Sequence, residues 1–195
     1  MSNICIKELD STISFEEIKL VMEKAHKAAE NDKLSFPTSN LSASDLMNKT
    51  LNNGKWFLAI NNDKIVGTLY GDIKNIKKWF YIGTVVELKY IAILPEFSGK
   101  HILSKLYEKV FTYAKKNKIE LCFMSMSEYN YHHRHVAEKN GFILIDFFAA
   151  KGLKNYSLSY AYWLEGNCPY SKIRIRMMLQ LRKIKAIIKR KILKY

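Results

Sequence analysis

Apolar positions along the chain change period several times, and each change marks an element. Phe15, Ile18, Val21, Met22, Ala25, His26 and Ala29 recur in steps of three and four, which predicts a helix to about Glu30. Ser14 and Glu17 stand at its start with the spacing of a capping box. Ile4 to Lys7 precede it as a short strand. Asn31 to Asn40, with Pro37, reads as loop. Ser42 or Ser44 caps a second short helix through Asp45, Leu46 and Leu51.

Asn52-Asn53-Gly54 ends that helix. Two strands follow, Lys55 to Ile60 and Lys64 to Ile73, joined by Asn61-Asn62-Asp63 as a hairpin. Trp79 to Thr84 is ambiguous. Val85 to Leu94 alternates as a long strand, with Val86, Leu88, Tyr90, Ala92 and Leu94 on one side and Val85, Glu87, Lys89, Ile91 and Ile93 on the other. Pro95 stops it. Past the turn at Glu96 to Lys100, Ile102, Leu103, Leu106, Val110, Tyr113 and Ala114 form the stripe of a helix that ends at Asn117. Ile119 to Met126 is a strand and Tyr129 to Lys139 a helix stopped by Asn140-Gly141. Phe142 to Phe148 and Ser157 to Leu164 are closing strands. The order βααβββαβαββ gives an α/β fold, a mixed, mostly antiparallel central sheet flanked by helices, with one right-handed crossover.

Composition adds little until the charge is located. The 195 residues are 48% apolar and 26% charged, as in one folded domain. The net charge is +14. Ten of the 32 basic residues lie between Ser171 and Tyr195, where there is no acid; the remainder carries 22 bases against 18 acids. Cys5, Cys122 and Cys168 are widely spaced, so neither a disulfide framework nor a zinc knuckle is expected. No His/Cys/Asp cluster has ligand spacing, and no metal is expected. The first residues lack a secretory pattern and no run has about 18 apolar residues, so the expected location is cytoplasmic.

Two segments carry a likeness. Leu88 to Leu106, LKYIAILPEFSGKHILSKL, has a strand, a proline, a turn and a helix start. Asn130 to Phe142, NYHHRHVAEKNGF, is a helix ending in Gly-Phe before a strand. Together they resemble the GCN5-related N-acetyltransferase (GNAT) superfamily, and the element order over residues 1–165 fits that fold. The resemblance implies acyl transfer from acetyl-CoA or another acyl-CoA. By it, Ile91, Ala92 and Ile93 pair their backbone with the pantetheine arm, and Ser98, Gly99, Lys100, His101, Ile102, Leu103 and Ser104 wrap the pyrophosphate. A helix start suits that anion, because its free N–H groups and dipole point at it. A plain structural strand–helix turn is the alternative. The family loop reads Gln/Arg-x-x-Gly-x-Gly/Ala; here His101 and Leu103 replace the two glycines, and Gly99 falls at a variable position. A Cβ keeps backbone from close approach to phosphate, so a less snug fit is expected, with Lys100 and His101 compensating by charge.

The second segment also departs. Asn130 matches an asparagine that contacts the cofactor or the helix start. Seven residues on, many members carry a tyrosine that protonates the leaving thiolate; here it is Ala137. Residues 130, 133 and 137 share a helix face, so His133 is the nearest replacement, unless Tyr131 to His135 is merely a solvated basic stretch. Several relatives use a glutamate on the central strand as base, which implies that role for Glu87. An acid among apolar neighbours is the better base, because burial disfavours its charge. The alternative is a cross-strand partner for Lys89 or another lysine. Ser125 occupies a position that some relatives give to an acid.

In the last segment, residues 166–195, Ile173, Met177, Leu181, Ile184, Ile188 and Ile192 form one stripe of a basic amphipathic helix. Three partners fit it: an anionic membrane surface contacted through residues 171–195, giving a peripheral protein on the inner face; its own domain or a second subunit, giving a homodimer; or nucleic acid, which the scarcity of stacking aromatics disfavours. The expected function is transfer of an acetyl or other acyl group to an amine or hydroxyl of a small-molecule or lipid-linked acceptor by direct attack. A non-catalytic binding protein is the alternative, as is a long-chain acyltransferase served by acyl carrier protein.

Overall fold

A capping box opens the first helix: Ser14 Oγ accepts from Glu17 N at 3.3 Å, and the Glu17 carboxylate accepts from Ser14 N. The structure, a computed structural model, describes residues 4–11, 13–30, 36, 41–50, 53–149, 155–166 and 168–192. Apart from Phe36, the expected loop at Asn31 to Asn40 lies outside them, as do Leu51, Asn52, Lys194 and Tyr195. The strands are β1 (Cys5–Glu8), β2 (Gly54–Asn61), β3 (Lys64–Lys78), β4 (Tyr81–Ile93), β5 (Leu121–Ser127), β6 (Ile143–Ala149) and β7 (Tyr156–Trp163). The helices are α1 (Phe15–Ala29), α2 (Ala43–Thr50), α3 (Ile102–Lys116), α4 (Tyr131–Lys139) and α5 (Lys172–Ile192). Ser42 caps α2 by accepting from Asp45 N at 3.0 Å.

All seven strands join one sheet in the order β1-β2-β3-β4-β5-β7-β6. Every pair is antiparallel except β4 with β5. Asn62 and Asp63 both have positive φ, 47° and 59°, which gives the β2–β3 hairpin a turn matched to strand twist. The ambiguous segment resolves into a Trp79-Phe80 turn, with Phe80 buried, and the start of β4 at Tyr81.

One face of the sheet carries α3 and α4 over Phe57, Leu69, Val86, Leu88 and Met124. The other carries α1 and α2 over Trp56, Leu58, Tyr70 and Ala92. β4 does not keep the alternation expected of it. Tyr90 has φ 50°, and the register against β3 slips between Thr68 and Tyr70. This bulge re-aims the strand. Tyr90 and Ala92 leave the face of Val86 and Leu88 for the α1 side, whereas Ile91 and Ile93 pack toward α3. Thr68 Oγ1 donates to the Tyr90 carbonyl at 2.9 Å, satisfying an acceptor that the bulge displaces.

α5 lies along β6, the edge strand. Its inward face holds Ile175 and Ala186, both buried, and Arg182, which grips Asp146 with two hydrogen bonds of 2.7 and 2.9 Å. Asp146 is 2% exposed. Removing one partner of such a pair strands the other charge. Arg182→Met is therefore expected to lower unfolding stability by about 2 to 3 kcal/mol, toward the low end for a buried pair because Arg182 is partly solvated. Adding Asp146→Asn should recover part of that loss. Chemical denaturation of both variants checks this.

Candidate active site in the parting of two strands

β4 and β5 are in register at only two positions, Val86 with Cys122 and Glu87 with Phe123. Beyond these they part. From Leu88 to Ile93, β4 has no registered partner on β5, and its ladder to β3 is broken only at the bulge, where Tyr90 and Ile91 have no partner, so its backbone groups on the β5 side lack a neighbouring strand. Ile91, Ala92 and Ile93 all lie on this stretch.

Just past the end of β4, Pro95–Phe97 forms a short 3-10 turn and Ser98 N donates to the Pro95 carbonyl at 3.0 Å. His101 precedes α3 in the left-handed region, φ 56° and ψ 21°, and no side chain caps the helix. The glycine that the family pattern places here adopts that conformation without strain. Histidine stands at that place here, and it holds the positive φ. Gly99, at φ 74°, is the glycine that remains, with open space around a would-be Cβ. Ile102 is buried and anchors the helix start; Leu103 and Ser104 are half-buried. The Lys100 ammonium rests 4.4 Å from the centre of the Phe97 ring. Strand edge, uncapped helix start and adjacent lysine fit a pantetheine arm and its diphosphate.

On the α1 side of the sheet, beside the parting, four charges form a cross-strand group. Asp72 lies opposite Glu87. The Glu87 carboxylate meets the Lys74 ammonium and, at 2.9 Å, that of Lys89; Lys89 also donates to Asp72 at 2.6 Å. Burial opposes the charge of Lys89, but its bonds to Asp72 and Glu87 raise its pKa above the ordinary lysine value. Glu87 is thus the partner of two lysines rather than an acid among apolar neighbours. It is half-buried, not in the core. Lys74 also lies over the Phe123 ring at 5.5 Å.

On the opposite face, Asn130 caps α4 by accepting from His133 N at 3.3 Å, so its contact is with the helix start. Ala137 is fully buried in the core under α3. His133, one turn earlier, reaches inward: its Nε2 is 2.7 Å from Tyr107 Oη, and Tyr107 Oη is 3.5 Å from Met124 Sδ. Burial, with a smaller contribution from His132, brings the His133 pKa down to about 4. Burial also raises that of Tyr107. Both are neutral near neutrality, and the ring has no imidazolium proton to give a thiolate. The spacing that put His133 on one face with Asn130 and Ala137 was correct; the environment does not suit an acid. Ser125 pairs with Ser159 at 2.9 Å. His26 on α1 is buried and stacked at 4.3 Å on Phe36. Burial lowers its pKa.

Tyr107 and Asp72 were not singled out from sequence. Tyr107 fits the helical stripe four residues after Leu103 and three before Val110, so periodicity could have found it. Asp72 could not have been set opposite Glu87 without the register. Among the described residues no group of three His, Cys, Asp or Glu side chains could hold a metal.

A sequence profile of the acetyltransferase (GNAT) family matches residues 22–142. The chain belongs to the GNAT acetyltransferase family. Its members transfer acyl groups from acyl-CoA. The chain is similar to a GNAT-family acetyltransferase from Staphylococcus aureus Mu50, 22% identical with a TM-score of 0.64, over 83% of this chain and 99% of that one. It is also similar to the ribosomal-protein-S18-alanine N-acetyltransferase of Escherichia coli, 13% identical with a TM-score of 0.63, over 86% and 98%. A GNAT-family acetyltransferase from Elizabethkingia anophelis with acetyl-CoA bound is 17% identical with a TM-score of 0.57, over 84% and 99%. No curated protein matches the chain. These likenesses agree in fold.

The two histidines whose pKa values burial lowers, His26 and His133, predict a pH dependence. A His133 that titrates near 4 in the fold, against 6.5 for the ordinary side chain, stays neutral where the unfolded chain takes up a proton. Stability should therefore fall as pH drops from about 6.5 toward 4, and His26 adds to the slope with the same sign. His133→Gln should flatten but not abolish it. Denaturation midpoints across that window check this; equal slopes in variant and wild type would refute it.

Proposed function

We propose that the GNAT-like domain, residues 1–165, is an acyl-CoA-dependent N-acyltransferase. It moves an acetyl or other acyl group to an amine, or secondarily a hydroxyl, of a small-molecule or lipid-linked acceptor by direct attack in a ternary complex. The observation that carries this is the unpaired edge of β4 from Leu88 to Ile93, leading to the uncapped start of α3. Backbone groups of Ile91, Ala92 and Ile93 bind the pantetheine arm as a neighbouring strand would, and Ser98 to Ser104 hold the diphosphate. Acyl-CoA supplies an activated carbonyl and a good leaving thiolate. The acceptor enters on the side of Asp72, Lys74, Glu87 and Lys89.

As the new C–N bond forms and the C–S bond breaks, the amine proton passes to Glu87, directly or through water. Two ammonium groups already occupy that carboxylate. It takes the proton once Lys74 or Lys89 yields its place. The thiolate leaves without a dedicated acid, which a thiol tolerates. His133 acts through Tyr107, as a positioning residue.

The core position of Ala137 also favours a second reading, a binding protein that retains the cleft and lacks turnover. Calorimetry with acetyl-CoA and longer acyl-CoAs, followed by thiol release with a panel of amines, separates the two. Binding with turnover is expected. Glu87→Gln should lower kcat by about 10²-fold or more, and more at low pH, where less acceptor is free amine. His133→Ala should lower turnover while thioester binding persists. No heat and no thermal shift with any acyl-CoA or with acylated carrier protein would remove the enzyme reading, and binding without thiol release would leave the binding protein.

A further inference from the structure

α5 turns the wrong way for a helix that serves only its own domain. Its buried face is the smaller apolar one, Ile175, Leu179 and Ala186 around Arg182. Ile173, Met177, Leu181, Ile184, Ile188 and Ile192, the six residues of its long stripe, are 51–73% exposed. At 3.6 residues per turn these six fall within an arc of roughly 100°, centred opposite the Arg182 face. Arg176 and Lys183 border that arc on one side, and Arg174, Lys185 and Lys189 on the other, while Lys191 interrupts it at the rim it shares with Ile173, all exposed. No acid lies between Ser171 and Tyr195 to neutralise them.

We infer that α5 seats this stripe in an anionic lipid surface, lying in the plane of the membrane, while Arg182 and Asp146 hold its back to β6. An interfacial helix has this cross-section: an apolar centre that enters the acyl boundary, and long cationic side chains on both flanks that reach phosphate. The occupant follows from charge. A second copy set face to face would bring two sets of like charges together, with no acid in the segment to pair with them. A nucleic acid would use the flanks and leave the stripe in water, and no aromatic on the described helix offers a stacking platform. A spanning arrangement is excluded for the described helices, none of which is long and apolar enough to cross a membrane.

Docking through α5 brings the β6 edge of the sheet to the surface. This inference is independent of the chemistry proposed for the cleft, since no residue of the arc lies there.

The test is cosedimentation of the full chain with vesicles of phosphatidylcholine alone or mixed with phosphatidylglycerol, at low and high salt. Wild type should bind the mixed vesicles, less so in high salt. Ile184→Ser with Ile188→Ser, and separately Lys185→Glu with Lys189→Glu, should each reduce the partition coefficient about tenfold or more. All four side chains are solvent-exposed, so folding should persist, and acetyl-CoA calorimetry on the same variants should match wild type. Equal partition of wild type and the serine variant overturns the inference, since adhesion would then be electrostatic only. Dissociation of a lipid-free dimer by the serine variant, seen by light scattering, overturns it in favour of a second copy. Binding to RNA with none to vesicles overturns it in favour of nucleic acid.

Discussion

The parting of β4 from β5 is the constraint on which the rest of the site depends. Two registered pairs bind them as parallel neighbours, and parallel neighbours cannot be joined by a hairpin. The chain must leave β4 and return through a crossover, which is α3. Because α3 begins where β4 ends, its free N–H groups fall at the mouth of the opening. The unpartnered strand edge and the uncapped helix start thus arise from one topological necessity. The bulge at Tyr90 completes it. By adding a residue where Thr68 and Tyr70 slip register, it turns Tyr90 and Ala92 toward α1 and leaves Ile91 and Ile93 facing α3. The Thr68 hydroxyl holds the displaced carbonyl, so the kink is supported from β3 rather than from the cleft.

Where local rules decide the backbone, the sequence was readable. Ser14 with Glu17, the Asn62-Asp63 turn and Asn140-Gly141 act within a few residues, and each behaves as its chemistry requires. The bulge was not readable, because Tyr90 and Ile91 are apolar and both faces of β4 are covered there. Alternation looks the same whether or not a residue is inserted. The partner of Glu87 was open for the same reason: placing Asp72 opposite it needs the register, and register is a long-range property. Lys89 was foreseeable two residues away on the same face. Lys74 was not.

His101 and Ala137 show that a family pattern and a family geometry can separate. His101, where the family pattern has a glycine, holds a left-handed conformation that costs about 1 to 2 kcal/mol for a residue with a Cβ. The neighbours bear that cost, Ile102 by its complete burial. At Ala137, where many members carry a tyrosine, the helix is present without that side chain. A small side chain fills the core, and the nearest polar group on that face, His133, is turned to Tyr107. The left-handed turn at His101 thus stands without a glycine, whereas Ala137 brings no side-chain proton donor to its place on α4.

The helix α5 carries the same argument to the surface. Its apolar periodicity was plain in the sequence, but periodicity gives a stripe and not a direction. A larger stripe ordinarily turns inward, since burial of apolar area is the main force that docks a helix. Here a buried carboxylate overrides it. Asp146 is nearly without solvent, so its oxygens need hydrogen-bond donors from the protein, and its own backbone neighbour, Phe147 N at 2.8 Å, supplies one. Arg182 supplies a positive charge and two more hydrogen bonds. Once Arg182 faces β6, the 3.6-residue period leaves Ile173, Met177, Leu181, Ile184, Ile188 and Ile192 no place but the outside. The ion pair, with Ile175 and Ala186 buried on the same face and Arg190 stacked on Tyr156, thus turns the apolar stripe and its cationic flanks away from the sheet.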